Sequence, residues 1–351
     1  MGEIRLMKGN EALGEAAIRA GLQGYFGYPI TPQSEVIEYL AKEEPKYDYV
    51  LIQAESEVAA VNMMYGAGGA GGRIMTTTSS PGFSLMQEGV SYLVCTEIPC
   101  LFANIVRGGP GLGTIQASQG DYFQATKGGG HGDYNMIVLA PNSVQEMADH
   151  TFLGFELADK YCSPVLLLSD GSIGQMMEKV ELPDPKPYKP NKPWATVGKP
   201  KNRERNILTS LYILSDDMEK KNIHLQAKFE EMEKNEVRFE EYRTEDAEII
   251  ITAFGLTSRI SKKVVDIGRE SNIKLGLFRP ITLWPFPKKR IEELASKKEV
   301  KFFISVEMNA GQMKEDVMLN VYGKKPVYFF GRFGGIIPTP EEILGAIKSH
   351  L

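Results

Sequence analysis

The chain has 351 residues, 42% of them hydrophobic and 24% charged, with a formal net charge of −5. That length accommodates two domains with ordinary cores, and the acidic balance argues against the basic face that nucleic-acid binding requires. No apolar run approaches the roughly 18–20 residues that span a bilayer, and the start, Met1-Gly2-Glu3-Ile4-Arg5, lacks the apolar stretch of a signal peptide, so a cytoplasmic protein away from membranes is expected.

In chain order, Gly9-Asn10-Glu11 opens an amphipathic helix that Gly21 stops. Tyr25–Tyr28 reads as a short strand ending at Pro29. Thr31-Pro32 then reads as the cap and first turn of a helix with Val36, Ile37 and Leu40 on one face. The alternation continues with strand 49–53, helix 57–66, strand 74–78, helix 83–96 and strand 100–106. Strand 136–140, helix 144–160 and strand 164–169 follow. Strands alternating with helices of this length indicate a doubly wound, mostly parallel sheet.

Between residues 183 and 200 the composition changes, with Pro183, Pro185, Pro187, Pro190, Pro193 and Pro200 among lysines. Such a stretch reads as an extended surface linker. Residues 216–243 are heavily charged, with Leu225, Phe229 and Met232 spaced as one apolar stripe, so a helix laid on a domain surface is expected. A second α/β unit follows, with strands near 249–253, 274–278, 301–306 and 326–330. The expected fold is therefore α/β, with two doubly wound, mostly parallel-sheet domains at 1–182 and 245–351, joined by 183–244.

Gly66-Ala67-Gly68-Gly69-Ala70-Gly71 matches the dinucleotide pattern GxGxxG in letters only. That fingerprint follows a strand and opens a helix, so that the helix N-terminus meets the pyrophosphate. Here the glycines end a helical run and precede a strand, as a helix stop does. Two other clusters, Gly108–Gly113 and Gly128–Gly132, are placed on strand-to-helix loops. The first follows strand 100–106 with Arg107 at its root, a position suited to an anionic ligand. His131 lies in the second and is a candidate for approaching substrate, whereas His150, His224 and His350 read as surface or capping residues. Cys95, Cys100 and Cys162 form no CxxC pair. An iron–sulfur cluster takes about four thiolates, so this chain alone does not hold one. No His/Cys/Asp grouping suggests a protein-bound metal.

Four segments together are more specific: Gly27-Tyr28-Pro29-Ile30-Thr31-Pro32, Glu55-Ser56-Glu57-Val58-Ala59-Ala60, Thr76–Phe83 with its Ser79-Ser80-Pro81-Gly82, and Val106–Gly111. In this order the chain resembles the alpha subunit of the 2-oxoacid:ferredoxin oxidoreductases over nearly its whole length. The first 180 residues resemble the family's pyrimidine-binding thiamine domain. The last hundred, with Phe278-Arg279-Pro280 and Val306–Gln312, resemble its transketolase C-terminal-type domain.

The resemblance implies a role for each motif. Glu57 matches the carboxylate that hydrogen-bonds N1′ of the cofactor's aminopyrimidine, with Glu55 as the competitor two residues earlier. Pro29 and Ile30 fall among the cofactor-binding positions, and Thr31 and Arg107 match contacts to the carboxylate of a 2-oxo acid. The implied reaction is oxidative decarboxylation with coenzyme A, giving acyl-CoA and CO2 and reducing ferredoxin. Thiamine enzymes hold the diphosphate through Mg2+ with a GDG motif, and no GDG occurs here. Thiamine diphosphate is therefore expected to be shared with a beta subunit that binds its diphosphate and Mg2+. The clusters are expected on partner subunits, and a gamma subunit and a ferredoxin-like iron–sulfur subunit are expected beside the beta subunit, with ferredoxin as the acceptor. Within the family the likeness is greatest to the branched-chain (3-methyl-2-oxobutanoate) type, with the 2-oxoglutarate type as the alternative. A transketolase or lipoamide-linked dehydrogenase subunit without iron–sulfur partners, and a non-catalytic scaffold, are further readings.

Overall fold

The computed structural model describes residues 2–185, 188 and 191–351; Pro187 and Pro190 of the proline-rich linker lie outside the described residues. The chain opens with strand β1 (Glu3–Lys8). The next strands are β2 (Gly24–Gly27), β3 (Val50–Gln53), β4 (Ile74–Thr78), β5 (Cys100–Val106), β6 (Ile137–Leu139) and β7 (Pro164–Asp170). Then β8 (Met177–Leu182) returns to pair antiparallel with β1. The second half holds β9 (Phe239–Tyr242), β10 (Ile249–Thr252), β11 (Leu275–Pro280), β12 (Thr282–Trp284), β13 (Phe302–Glu307) and β14 (Val327–Gly331).

Two mostly parallel sheets result. The first runs β12-β6-β7-β5-β4-β2-β3 and the second β14-β13-β10-β11-β9. In each, only an edge strand is antiparallel, β12 against β6 and β9 against β11. The strands β4, β5 and β7 are buried along their whole length. Continuous apolar runs of this kind suit a sheet covered on both faces. Helices Gly9–Arg19 and Val144–Tyr161 pack together, as do helices Glu57–Gly69 and Ser80–Cys95.

The strands fall where their apolar runs place them, but the edges of the two units differ from the sequence expectation. The strand β9, which the sequence assigns to the linker, is an edge of the second sheet, and β12, assigned to the second unit, closes the first sheet. Both are short, and each pairs with a strand distant in sequence, which no local pattern encodes. Arg279 fastens this junction. It is fully buried, donates to Glu146 and to the carbonyl of Ala140 (3.1 Å), and pairs with Glu240 at 3.0 Å. Burial would raise the Glu146 carboxyl, but the Arg279 guanidinium holds it below the usual carboxylate range. The hydrophobic core is continuous across the junction, running from Phe102 and Leu166 to Phe254, Trp284 and Met313.

The charged segment forms helix Ser215–Asn235, and its stripe Leu225, Phe229 and Met232 is buried as expected. Its other anchor is Glu97, which accepts from Lys228 and His224 at 2.9 Å each and pairs with Lys221. His224 and His350 are exposed, but His150 is a correction. It is buried on helix Val144–Tyr161, and burial pushes its imidazole down to about 4. That helix is covered by the sheet on one side and by helix Gly9–Arg19 on the other, so it has little solvent face. Among the described residues no helix is long and apolar enough to cross a membrane.

Candidate active site

The sequence-selected residues converge because parallel strands deliver them to one edge. Tyr28–Thr31 follows β2, Glu57 follows β3, Ser79–Gly82 follows β4 and Arg107 follows β5. These four strands are neighbours, and the carboxyl ends of such strands are where open α/β sheets bind ligands.

Glu57 is the first residue of helix Glu57–Gly69. Ser56 caps this helix, its Oγ accepting from the N–H of Ala59 at 3.1 Å. The Glu57 side chain is only 5% exposed, whereas Glu55 is exposed, which separates the two candidates. Helix Ser80–Cys95 approaches closely because Gly82 and Gly89 share one of its faces. A Cβ on Gly82 would lie 2.5 Å from Oε1 of Glu57, and one on Gly89 would strike Val61. The Glu57 carboxylate is thus confined against bare backbone, with no hydrogen-bond or ion-pair partner among the described residues. A buried carboxylate without a partner is costly, which marks Glu57 as a candidate functional group.

Arg107 is its positive counterpart at the end of β5. It is 9% exposed, and Nη1 donates to the carbonyl of Thr31 at 3.0 Å. Its Nε has no partner, and no carboxylate lies within ion-pair distance among the described residues. Its backbone is held firmly. The Ser80 hydroxyl accepts from the Arg107 N–H (3.1 Å) and donates to the Arg107 carbonyl (3.3 Å). Asn104 in turn accepts from the Ser80 N–H (2.9 Å) and donates to Asp121 (2.8 Å). Burial raises the Asp121 carboxyl despite these bonds. Nearby, burial pushes Asp170 up to about 6 against hydrogen bonds from the N–H groups of Ile173, Ser172 and Leu256.

Thr31 differs from its expected setting. It does not cap a helix; helix Ser34–Glu43 begins three residues later with Gln33 at its cap. A turn closed by Gln33 N–H to the Ile30 carbonyl (3.0 Å) intervenes. The Pro32 carbonyl accepts from Asn10 (2.8 Å) and Gln175 (3.2 Å), which holds the turn off the helix axis. Thr31 thus offers Arg107 its carbonyl and leaves its side chain exposed. Pro29 is exposed and Ile30 half-buried beside it.

Two candidate features lie elsewhere. The cluster Gly128–Gly132 follows helix Tyr122–Thr126 rather than a strand. His131 is exposed there, with its carbonyl accepting from Ser91 at 2.8 Å. Ser91 is eleven residues along its helix from Ser80, roughly 16 Å away, so His131 is not part of this edge. Cys100 is buried and Cys95 and Cys162 are half-buried, and burial raises all three thiols. No three His, Cys, Asp or Glu side chains among the described residues come together as a metal site.

The sequence alone assigns no role to Gln33, to Asn104 or, within its motif, to Ser80, and all three shape the edge. Gln33 Nε2 donates to the Tyr28 carbonyl at 3.2 Å, fixing the loop after β2. Asn104 carried a signal, being a polar side chain inside the apolar run Cys100–Val106, where it must find partners.

Residues 15–249 match the family model for the thiamine-diphosphate-binding domain of pyruvate flavodoxin/ferredoxin oxidoreductases, and residues 247–343 match that for pyruvate:ferredoxin oxidoreductase core domain II. The chain is 48% identical over 345 residues to the ketoisovalerate oxidoreductase subunit VorB of Methanothermobacter marburgensis, covering 98% of this chain and 97% of the relative. It is 36% identical over 368 residues to the 2-oxoglutarate synthase subunit KorA of Methanocaldococcus jannaschii, covering 98% and 99%. The 2-oxoglutarate:ferredoxin oxidoreductase of Magnetococcus marinus, solved with 2-oxoglutarate, coenzyme A and succinyl-CoA bound, superimposes with a TM-score of 0.88 at 28% identity. That match covers 99% of this chain but 65% of the longer one. A split-gene transketolase shares the fold alone, with a TM-score of 0.61 at 12% identity over 98% of this chain and 97% of that one. With two family models matching in tandem over the two sheets, the chain belongs to the thiamine-dependent pyruvate flavodoxin/ferredoxin oxidoreductase family, as a subunit of a multi-subunit 2-oxoacid oxidoreductase.

Proposed function

We propose that this chain contributes the pyrimidine-facing half of a thiamine diphosphate site and the anchor for the carboxylate of a 2-oxo acid. The observation that carries this reading is a pair of buried charges without an ion-pair partner among the described residues, the Glu57 carboxylate and the Arg107 guanidinium, at the ends of neighbouring strands. Thiamine diphosphate, when bound, supplies the carbon nucleophile for the 2-oxo group. Glu57 holds the proton at N1′ of its aminopyrimidine, and the bare backbone at Gly82 keeps that carboxylate from competing partners. Pro29 and Ile30, on the loop after β2, would help to hold the cofactor. Arg107 receives the substrate carboxylate in a charge-assisted pair, with the Thr31 turn steadying the guanidinium.

The other half of the site is proposed to lie on a beta subunit that holds the diphosphate and Mg2+. Helix Glu57–Gly69 supports this. It is apolar on nearly every face, yet Val58 and Met63 are 45% and 37% exposed, with Tyr28 and Leu85 exposed close in sequence to the site segments. A helix apolar all round is normally covered. A gamma subunit and a ferredoxin-like subunit complete the proposed cytoplasmic assembly, their iron–sulfur clusters removing the substrate's electron pair singly to ferredoxin. Coenzyme A takes the acyl group as CO2 leaves.

Identity is higher to the ketoisovalerate subunit than to the 2-oxoglutarate subunits. The segment 107–117 carries one charged residue, Arg107, and exposes Leu112 and Ile115. Both favour an apolar branched 2-oxo acid over a dicarboxylate. A substrate panel with the assembled complex, read as ferredoxin reduction, tests this. The largest kcat/KM is expected with 3-methyl-2-oxobutanoate; preference for 2-oxoglutarate would overturn the choice.

A further inference from the structure

The second sheet has a switch point between β10 and β13, from which the chain winds outward in opposite directions to β11 and β14. In open α/β sheets the crevice at such a point takes a ligand. Here it is filled by a side chain from the first half of the protein, Gln119, which is 3% exposed. Its Nε2 donates to the Phe254 carbonyl just after β10 at 2.8 Å. Its Oε1 accepts from the Met308 N–H just after β13 at 3.0 Å and from the Thr257 hydroxyl at 3.2 Å. The Gln119 N–H donates to the Met308 carbonyl at 3.1 Å, and its own carbonyl accepts from Asn309 at 2.8 Å. Gly255 leaves the room, since a Cβ there would lie 3.2 Å from Nε2. The motif Val306–Gln312 thereby acquires a physical role. Asn309 and Gln312 grip residues 119–123, while Glu307 turns inward to cap helix Gln312–Val321 through the N–H groups of Met313 and Lys314.

The plug is coupled to Arg107 through two short links. Ala117 is paired antiparallel with Arg107, and the Gly108 N–H donates to the Gln116 carbonyl at 3.0 Å. Gln119 therefore anchors the strand against which Arg107 is registered. The second unit also meets the far side of this hairpin. A Cβ on Gly108 would lie 3.1 Å from the backbone of Gly334 and Gly335, so the two loops touch through bare backbone.

We infer that Gln119 is a positioning residue for the 2-oxo acid: seated in the switch-point crevice of the second sheet, it sets the hairpin that aims Arg107. This rests on the reading of Arg107 as the anchor of the substrate carboxylate. The test uses the assembled complex with Gln119→Met, which keeps the volume and removes three hydrogen bonds. Asn309→Asp is the companion at the other end of the contact: it keeps the turn bonds to Gly311 and Gln312 but sets an acceptor against the Gln119 carbonyl, beside the buried Glu307. Each variant is expected to raise KM for the 2-oxo acid about tenfold, below the roughly 10²-fold that a 1 Å misplacement can cost, with kcat and thiamine diphosphate affinity little changed. In an Arg107→Gln background, Gln119→Met is expected to add no further rise, the coupling that shared action produces. Lowered thermal stability at unchanged KM, or effects that multiply in the double variant, would show that Gln119 is domain glue only. Should Arg107→Gln alone leave KM unchanged, the reading of Arg107 fails first, and the inference with it. If Gln119→Met does not assemble, Asn309→Asp decides by the same criteria.

Discussion

Replacing Glu57 by glutamine in the assembled oxidoreductase is expected to lower kcat by about 10²–10⁴-fold, the range that positioned proton transfer contributes. The substitution is close to isosteric, so the packing against Gly82 and the Ser56 cap survives. What disappears is a group able to hold a proton at the cofactor's ring nitrogen. Because the carboxylate has no partner within the chain and is 5% exposed, neutralising it relieves a desolvation cost in the cofactor-free protein, the state in which thermal stability is compared. The variant is therefore expected to be at least as thermally stable as the parent, a trade of stability for function that functional sites commonly show. Glu55→Gln is the control. Glu55 is exposed, and its replacement is expected to leave turnover and melting temperature unchanged. Ferredoxin reduction together with thermal denaturation of both variants checks the claim. Equal turnover in Glu57→Gln and the parent would remove Glu57 from the chemistry.

Arg107→Gln is expected to lower kcat/KM by roughly thirtyfold to several thousandfold, corresponding to the 2–5 kcal/mol that truncating one member of a buried charge pair costs. The loss is expected mainly in KM, because the carboxylate is held before and during the chemistry. Arg107→Lys retains the charge but not the planar fork, and it gives up the geometry that places Nη1 3.0 Å from the Thr31 carbonyl. An intermediate KM is expected for it. Steady-state kinetics over a range of 2-oxo acid concentrations separates these cases. A loss confined to kcat would assign Arg107 to a later step than substrate capture.

The parts legible in the sequence are those that local pattern dictates. Strand Cys100–Val106 is an apolar run, interrupted only by Asn104, between Pro99 and Arg107, and its ends agree to the residue. Helix Glu57–Gly69 was legible through its serine cap and the small apolar residues after it, extending only three residues beyond the expected end. The ribbon of β1 and β8 was not legible, because Ile4 and Leu6 face solvent at 67% and 65% exposure and invert the usual pattern. Thr31 has the sequence of a cap, since Thr-Pro commonly starts a helix; Asn10 and Gln175, distant in sequence, decide otherwise. Gln119 gave no sign at all, since its side-chain partners all lie at residue 254 or later. The candidate site was thus visible as chemistry in its charged residues, while the network that aims them is tertiary.

The central claim is that this polypeptide carries half of a site. The most direct test is 2-oxo acid-dependent reduction of ferredoxin by the purified chain alone, supplied with thiamine diphosphate, Mg2+ and coenzyme A, and again after its partner subunits are added. No turnover is expected from the chain alone, and turnover that depends on Glu57 is expected on reconstitution. Turnover by the isolated chain would contradict the claim.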